Sequence, residues 1–192
     1  MHRRLPLSLA LPLLFLAAAG LLGLSLALGS VPISLSELVS VLTADAPSLA
    51  RDIVLELRLP RAMAAFAIGG LLALSGAILQ VLLRNPLADP YVLGVSGGAS
   101  VAALVAIMLS LPAAAVDGFA ALGALGACLL VFALAQGPGA WTPTRLLLTG
   151  IVVAAGAGSI VSLLLALGDE TQLRGMVFWL LGDLSRVQHW PW

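Results

Sequence analysis

The sequence predicts an all-α integral membrane protein, a polytopic bundle of about five transmembrane helices. Three observations predict it. Hydrophobic residues make up 61% of the 192 residues and charged residues 9%, whereas a water-soluble domain carries roughly 25% charge. The few charges are gathered, leaving residues 5–36, 62–83, 90–116, 118–144 and 146–168 without any. Small residues recur every four positions within three of those runs, the pattern that lets helix backbones approach in lipid.

A bilayer core about 30 Å thick needs about 20 apolar residues as a helix. A central Arg or Asp costs about 2.5–3.5 kcal/mol on the insertion scale. The charge-free runs therefore set spans near residues 8–28, 62–83, 91–110, 117–136 and 144–167. The first follows His2-Arg3-Arg4 and is longer than the roughly 7–15-residue core of a signal peptide. It reads as a retained span.

Between the first two spans, Ser34-Leu35-Ser36-Glu37 is a capping-box pattern. Leu35, Leu38, Val39 and Leu42 follow at helical spacing. Residues 34–43 are thus expected to form an amphipathic helix on the outer surface, followed by a turn-rich connector to residue 50. Arg58 and Arg61 flank Pro60 at the mouth of the second span. Two readings stand for them: guanidiniums reaching to lipid headgroups, or fixed cations offered to the carboxylates of an acidic partner.

The second span ends in Arg84-Asn85-Pro86-Leu87-Ala88-Asp89-Pro90. Asn-Pro and Asp-Pro are each a helix-start pattern, a cap followed by a proline that fits the first turn. Pro86, Asp89 and Pro90 thereby set a rigid, bent loop. It serves as a tight turn between antiparallel helices, or as a constriction or docking element. Gly94-Val95-Ser96-Gly97-Gly98 lacks the Lys-Ser/Thr of a phosphate loop. Gln136-Gly137-Pro138-Gly139 breaks the chain after the fourth span, and Thr142-Pro143-Thr144-Arg145 starts the fifth. Residues 169–192 read as an outer loop with a short helix, at the outer surface or partly re-entrant. Its apolar stretch from Met176 to Leu181 is too short to cross and is broken at Gly182-Asp183.

The expected packing stripes are Gly69, Ala73 and Ala77 on the second span, Gly94, Gly98, Ala102 and Ala106 on the third, and Gly150, Ala154 and Gly158 on the fifth. They predict a compact bundle.

Other chemistries find no support. The net charge is 0, which gives no electrostatic case for nucleic acid. Cys128 is single and lies in an apolar run, so it forms no intramolecular disulfide. His2 and His189 sit near the ends, and no Cys/His/carboxylate set has metal-ligand spacing. No enzyme constellation and no bound cofactor are expected. No span carries a central carboxylate for a proton relay, so any transport must be driven from elsewhere. The arginine distribution does not decide orientation by count. The Arg3-Arg4 pair before the first span favours a cytoplasmic N-terminus and an outer residue 192.

The ordered segments Arg58-Leu59-Pro60-Arg61, Gly76-Ala77-Ile78-Leu79-Gln80, Asn85-Pro86-Leu87-Ala88-Asp89-Pro90 and Leu93-Gly94-Val95-Ser96-Gly97-Gly98-Ala99 resemble those of type II ABC importer permeases. These are the FecCD-type permeases for iron–siderophore, haem and cobalamin uptake. Arg145-Leu146-Leu147-Leu148-Thr149-Gly150 and Phe178-Trp179-Leu180-Leu181-Gly182 resemble later segments of the same family. The resemblance runs from the first span to Trp192.

It implies a multi-pass permease of the bacterial plasma membrane with two copies around one pathway. Its partners would be a cytoplasmic ABC ATPase dimer that binds ATP-Mg and a periplasmic or lipid-anchored solute-binding protein. Arg58 and Arg61 would meet acidic residues of that binding protein. Asn85, Leu87 and Thr144 would lie at the cytoplasmic gate, with Pro143 standing where the family carries a small polar residue. The family chain has ten spans and is longer, so these 192 residues are expected not to transport alone. The alternatives are a non-transporting membrane fragment or a permease for another metal complex, such as zinc or manganese. The substrate is not legible, because specificity in this family rests largely with the binding protein.

Overall fold

The computed structural model describes residues 6–43, 48–136 and 142–184. Every regular element among them is helical. Four helical stretches are long and apolar enough to cross a bilayer: α1 (Leu7–Ala27), the continuous helix Leu49–Leu83, α6 (Ala113–Ala135) and α7 (Pro143–Leu167). The chain divides into two compact units, residues 1–69 with 184–192, and residues 70–183.

In the first unit, α1 is followed by α2 (Leu35–Thr43). Ser34 and Glu37 form the expected capping box: the Ser34 N–H donates to Glu37 Oε2 at 2.8 Å, and the Glu37 N–H donates to Ser34 Oγ at 3.3 Å. These two donors have no partner inside the helix, so the pair meets what the helix start leaves open. Leu38 and Val41 turn inward and join Leu26, Ile33 and Val54 in a buried cluster. Leu35 and Val39 are exposed, so the buried stripe is narrower than the spacing suggested. The Leu42 side chain lies outside the described residues.

The second expected span does not begin at residue 62. Its helix starts at Leu49, with Ser48 Oγ accepting from the Arg51 N–H at 3.2 Å. It runs as α3 (Leu49–Asp52), a π-helical segment (Ile53–Arg58) and α4 (Leu59–Leu83). Charges at Asp52, Glu56 and Arg58 end the apolar run but not the helix, because helical backbone needs no apolar side chains outside the bilayer. The π turn has a local cause. Pro60 has no N–H and its ring crowds the carbonyl four residues back. The helix opens ahead of it, and the Leu59 N–H bonds Val54 O, five residues back.

In the second unit α4 ends in a Schellman motif. The Asn85 N–H reaches Gln80 O at 3.1 Å and the Arg84 N–H reaches Val81 O at 3.3 Å, with Arg84 at φ 49°. The third expected span, residues 91–110, is shorter than predicted. Pro90–Leu93 form a 3-10 turn, Gly94 takes a left-handed φ of 68°, and only α5 (Val95–Met108, 14 residues) is α-helical. Fourteen residues rise about 21 Å. At its far end Ser110 repeats the Schellman geometry at φ 54°.

The fourth expected span begins earlier than residue 117. Pro112 caps α6, and Asp117 falls in its second turn. The fifth span is α7, with Thr142 Oγ1 accepting from the Arg145 N–H at 3.3 Å and Pro143 in the first turn. The short helix expected after it is α8 (Glu170–Leu181), which stops at Gly182 with φ 78°. Residues 1–5, 137–141 and 185–192 lie outside the described residues, and with them Arg3, Arg4, His189 and most of the Gln136–Gly139 breaker.

Helix contact in the second unit runs through glycines. Gly98 and Gly123 set α5 against α6; a Cβ on Gly98 would stand 2.5 Å from the Ala127 Cβ, and one on Gly123 2.5 Å from the Ala102 Cβ. Gly150 of α7 is covered by Val92 O and Leu93 Cα. Gly94 meets Ala154 N at 3.2 Å, and Gly97 meets Ala157 at 2.7 Å, by the same measure. Among the described residues, two expected contacts are not made. Gly158 has nothing within 4 Å, because the seam on α7 turns from Gly150 and Ala154 to Ala157, as a 3.6-residue repeat dictates. The α4 stripe is also open: Gly69 has no neighbour within 4 Å, and Ala73 and Ala77 are exposed.

Candidate functional site

The two arginines singled out by the sequence lie three residues apart on one helix, on either side of Pro60. Both are half-buried and both line one cavity of about 690 Å³ in the first unit. Its walls are otherwise mostly apolar, with Ser25, Leu28, Gly29 and Val31 from the end of α1 and beyond, and Ile53, Leu57, Ala62 and Ala65 from the long helix.

Arg58 is engaged. Its Nη1 donates to Leu26 O at 2.7 Å and Ala27 O at 3.0 Å, and its Nη2 donates to Val31 O. Leu26 and Ala27 end α1, so their carbonyls have no partner further along the helix. A cation there also faces the negative end of the helix dipole. Gly29 makes room for it: a Cβ at that position would stand 2.6 Å from Nη2 and 2.9 Å from Cζ. Gly29 is the residue that the sequence reading missed. A glycine directly after a predicted helix end was the available signal.

Arg51 acts in the same way one helix later, with Nη1 3.4 Å from Val41 O in the last turns of α2. The long helix therefore ties down the carboxyl ends of both preceding helices through arginines seven residues apart. Both arginines thus have a structural part that counting charges for orientation could not reveal.

The predicted gate residues come from one end of the second unit. Asn85-Pro86 does not start a helix. The Ala88 N–H bonds Asn85 O at 3.1 Å and the Leu87 N–H bonds Asn85 Oδ1 at 3.0 Å, so the segment is a closed turn. Asp89-Pro90 starts only the 3-10 turn, with Asp89 Oδ1 accepting from the Tyr91 N–H at 2.8 Å. Between the two, Leu87 is 87% exposed while Ala88 is buried. Ala88 and Leu146 share a buried cluster with Leu79, Leu83, Leu93, Val131 and Ala135. That cluster brings the Asn85–Pro90 loop beside the start of α7, where Thr144 is exposed. Among the described residues no group of three or more His, Cys, Asp or Glu could hold a metal ion.

Known proteins match most of this chain. The profile of the FecCD transport family matches residues 14–191. The vitamin B12 import system permease protein BtuC of Vibrio cholerae serotype O1 is 44% identical over 144 residues, covering 73% of this chain and 43% of that protein. The hemin transport system permease protein HmuU of Yersinia pestis is 37% identical over 193 positions, 96% of this chain and 55% of that protein. The ferric enterobactin permease FepD of Escherichia coli K12 is 38% identical over 183 positions, 93% and 54%. A solved structure of an inward-facing metal-chelate type ABC transporter superposes with a TM-score of 0.71 at 28% identity, over 91% of this chain and 53% of that one. The chain spans about half the length of the curated relatives it matches.

Proposed function

The chain belongs to the FecCD transport family, and from that premise we propose that it forms part of the permease subunit of an ATP-driven importer of a metal chelate. The match over residues 14–191 carries this reading, and relatives named for vitamin B12, hemin and ferric enterobactin support the substrate class. The substrate is a ferric siderophore, haem or cobalamin, moved across the bacterial plasma membrane into the cytoplasm. A separate ATPase pair supplies the energy, a second permease copy completes the pathway, and a solute-binding protein delivers the chelate from outside.

The two candidate sites take complementary parts. The cavity bearing Arg58 and Arg61 receives acidic side chains of the binding protein, since a guanidinium in a mostly apolar wall binds a carboxylate more strongly than one in open water. The closed turn at Asn85, with Leu87 at its tip, and the exposed Thr144 form the cytoplasmic gate. In this reading the N-terminus is cytoplasmic and α2 lies outside.

The test is uptake by right-side-out vesicles, with inside-out vesicles as the control, carrying the permease of which this chain forms part together with its ATPase and binding protein. Radiolabelled cobalamin, ferric siderophore and haem are offered in turn. ATP-dependent accumulation of one of them is the expected result. No accumulation of any, with all components present, overturns the reading. Binding of the delivery protein should also weaken steeply with salt and be lost in Arg61→Glu.

A further inference from the structure

We infer that Arg58 is a positioning residue: it clamps the carboxyl end of α1 and so fixes the Gly29–Val31 rim of the cavity that also holds Arg61. The inference deepens the docking reading by separating the two arginines, and it stands on contacts within the first unit alone.

The geometry is specific. After Ala27 the chain leaves the helix at once, with Leu28 extended at φ −87° and ψ 141°. No left-handed glycine closes this end, so the terminal carbonyls depend on other donors. The Ile33 N–H takes one of them, reaching Ala27 O at 3.3 Å. The Leu28 N–H takes Leu24 O at 2.9 Å, and Arg58 donates to Leu26 O and Ala27 O and also bonds Val31 O beyond the helix. One planar guanidinium thus joins the last turn of α1 to the segment that leaves it. Lysine, with one nitrogen, cannot span both.

Gly29 is the complement. Its φ is not left-handed, so glycine is required for space rather than for backbone conformation. The guanidinium lies where a side chain would begin, its Nε 3.2 Å from the position of a Cβ. A methyl group there displaces the guanidinium without touching either arginine in sequence.

The measurement is the mobility of a nitroxide label at Leu28→Cys, in a Cys128→Ala background, with the full chain in lipid nanodiscs. The parent label should move slowly. Arg58→Ala should shift it to fast nanosecond motion. Gly29→Ala, which keeps both arginines, should produce the same shift, and the double variant should add nothing further. Arg58→Lys should restore the slow line only in part. An unchanged line in Gly29→Ala, or in Arg58→Ala, overturns the clamp. If Arg58→Ala does not accumulate in the membrane, Gly29→Ala alone decides. No binding protein is present, so the result is separate from whether docking occurs.

Discussion

Gly98 and Gly123 lie face to face, and the carbonyl oxygen of each stands where the Cβ of the other would be. The helices α5 and α6 therefore meet backbone to backbone. In lipid, where apolar side chains gain little by leaving the solvent, such close packing is what holds helices together. Gly98→Val and Gly123→Val should each destabilise the second unit by about 1–3 kcal/mol or more, as overpacking does. Gly126, on the same helix with nothing within 4 Å, is the control. Gly126→Ala should be neutral or gain up to about 1 kcal/mol of helix propensity. Unfolding in mixed detergent micelles reads the difference, and equal effects at Gly98 and Gly126 would contradict the packing account.

Arg84 closes α4 at φ 49°, a conformation that costs an L side chain roughly 1–2 kcal/mol. Arg84→Gly should raise stability by about 1 kcal/mol, part of the relief being offset by the greater freedom of glycine in the unfolded chain. Arg84→Val should lower it, since a branched side chain tolerates this region worst. The same micelle unfolding midpoint measures both, and a loss of stability in Arg84→Gly would show that the arginine side chain makes a compensating contact.

These two cases mark what the sequence could reveal. Charge-free runs located α1 and α7 to within a residue or two, because desolvating a charge sets hard limits. The same rule misplaced the start of the Leu49–Leu83 helix, because it locates the membrane and not the helix. The Ser34–Glu37 cap and the Thr142 cap were legible, since capping is local. Arg58 was legible as important, but its bonds to Leu26 and Ala27 cross more than thirty residues, beyond any local rule. Within the small-residue stripes, Gly94, Gly98 and Gly150 lie close to neighbouring backbone. The pattern could not tell which stripe meets a neighbour, and Gly158 does not.

Glu37 titrates below the usual carboxylate range, held there first by the Ser34 hydroxyl and then by the Ser34 N–H. Its folded value lies under its unfolded value, about 4.3. Its contribution is therefore complete above that pH and is lost as pH falls through the folded value. Amide exchange across α2, corrected for the intrinsic rate, should quicken as pH falls below 4.3. In Glu37→Gln the added pH dependence should vanish, because glutamine caps without titrating. An unaltered pH profile in Glu37→Gln would assign the effect to another group.

Gln172 and Met176 fasten α8 to the second unit by different means. Gln172 Nε2 donates to Met108 O at 3.0 Å, taking a carbonyl at the end of α5, and its Oε1 lies 3.4 Å from the Asp169 N. Met176 is wholly buried, and a Cβ on Gly168 would stand only 3.3 Å from its sulfur. Gln172→Ala removes both bonds and leaves the Met108 carbonyl unmet, a loss of about 1–2 kcal/mol. Met176→Ala opens a cavity and should cost about 2–5 kcal/mol. Exchange of α8 amides should therefore rise several-fold in Gln172→Ala and far more in Met176→Ala, while the Gly98–Gly123 contact stays protected. The order of the two effects is the decisive point. A larger response in Gln172→Ala would mean that α8 is held by its cap, and that the methionine only fills space.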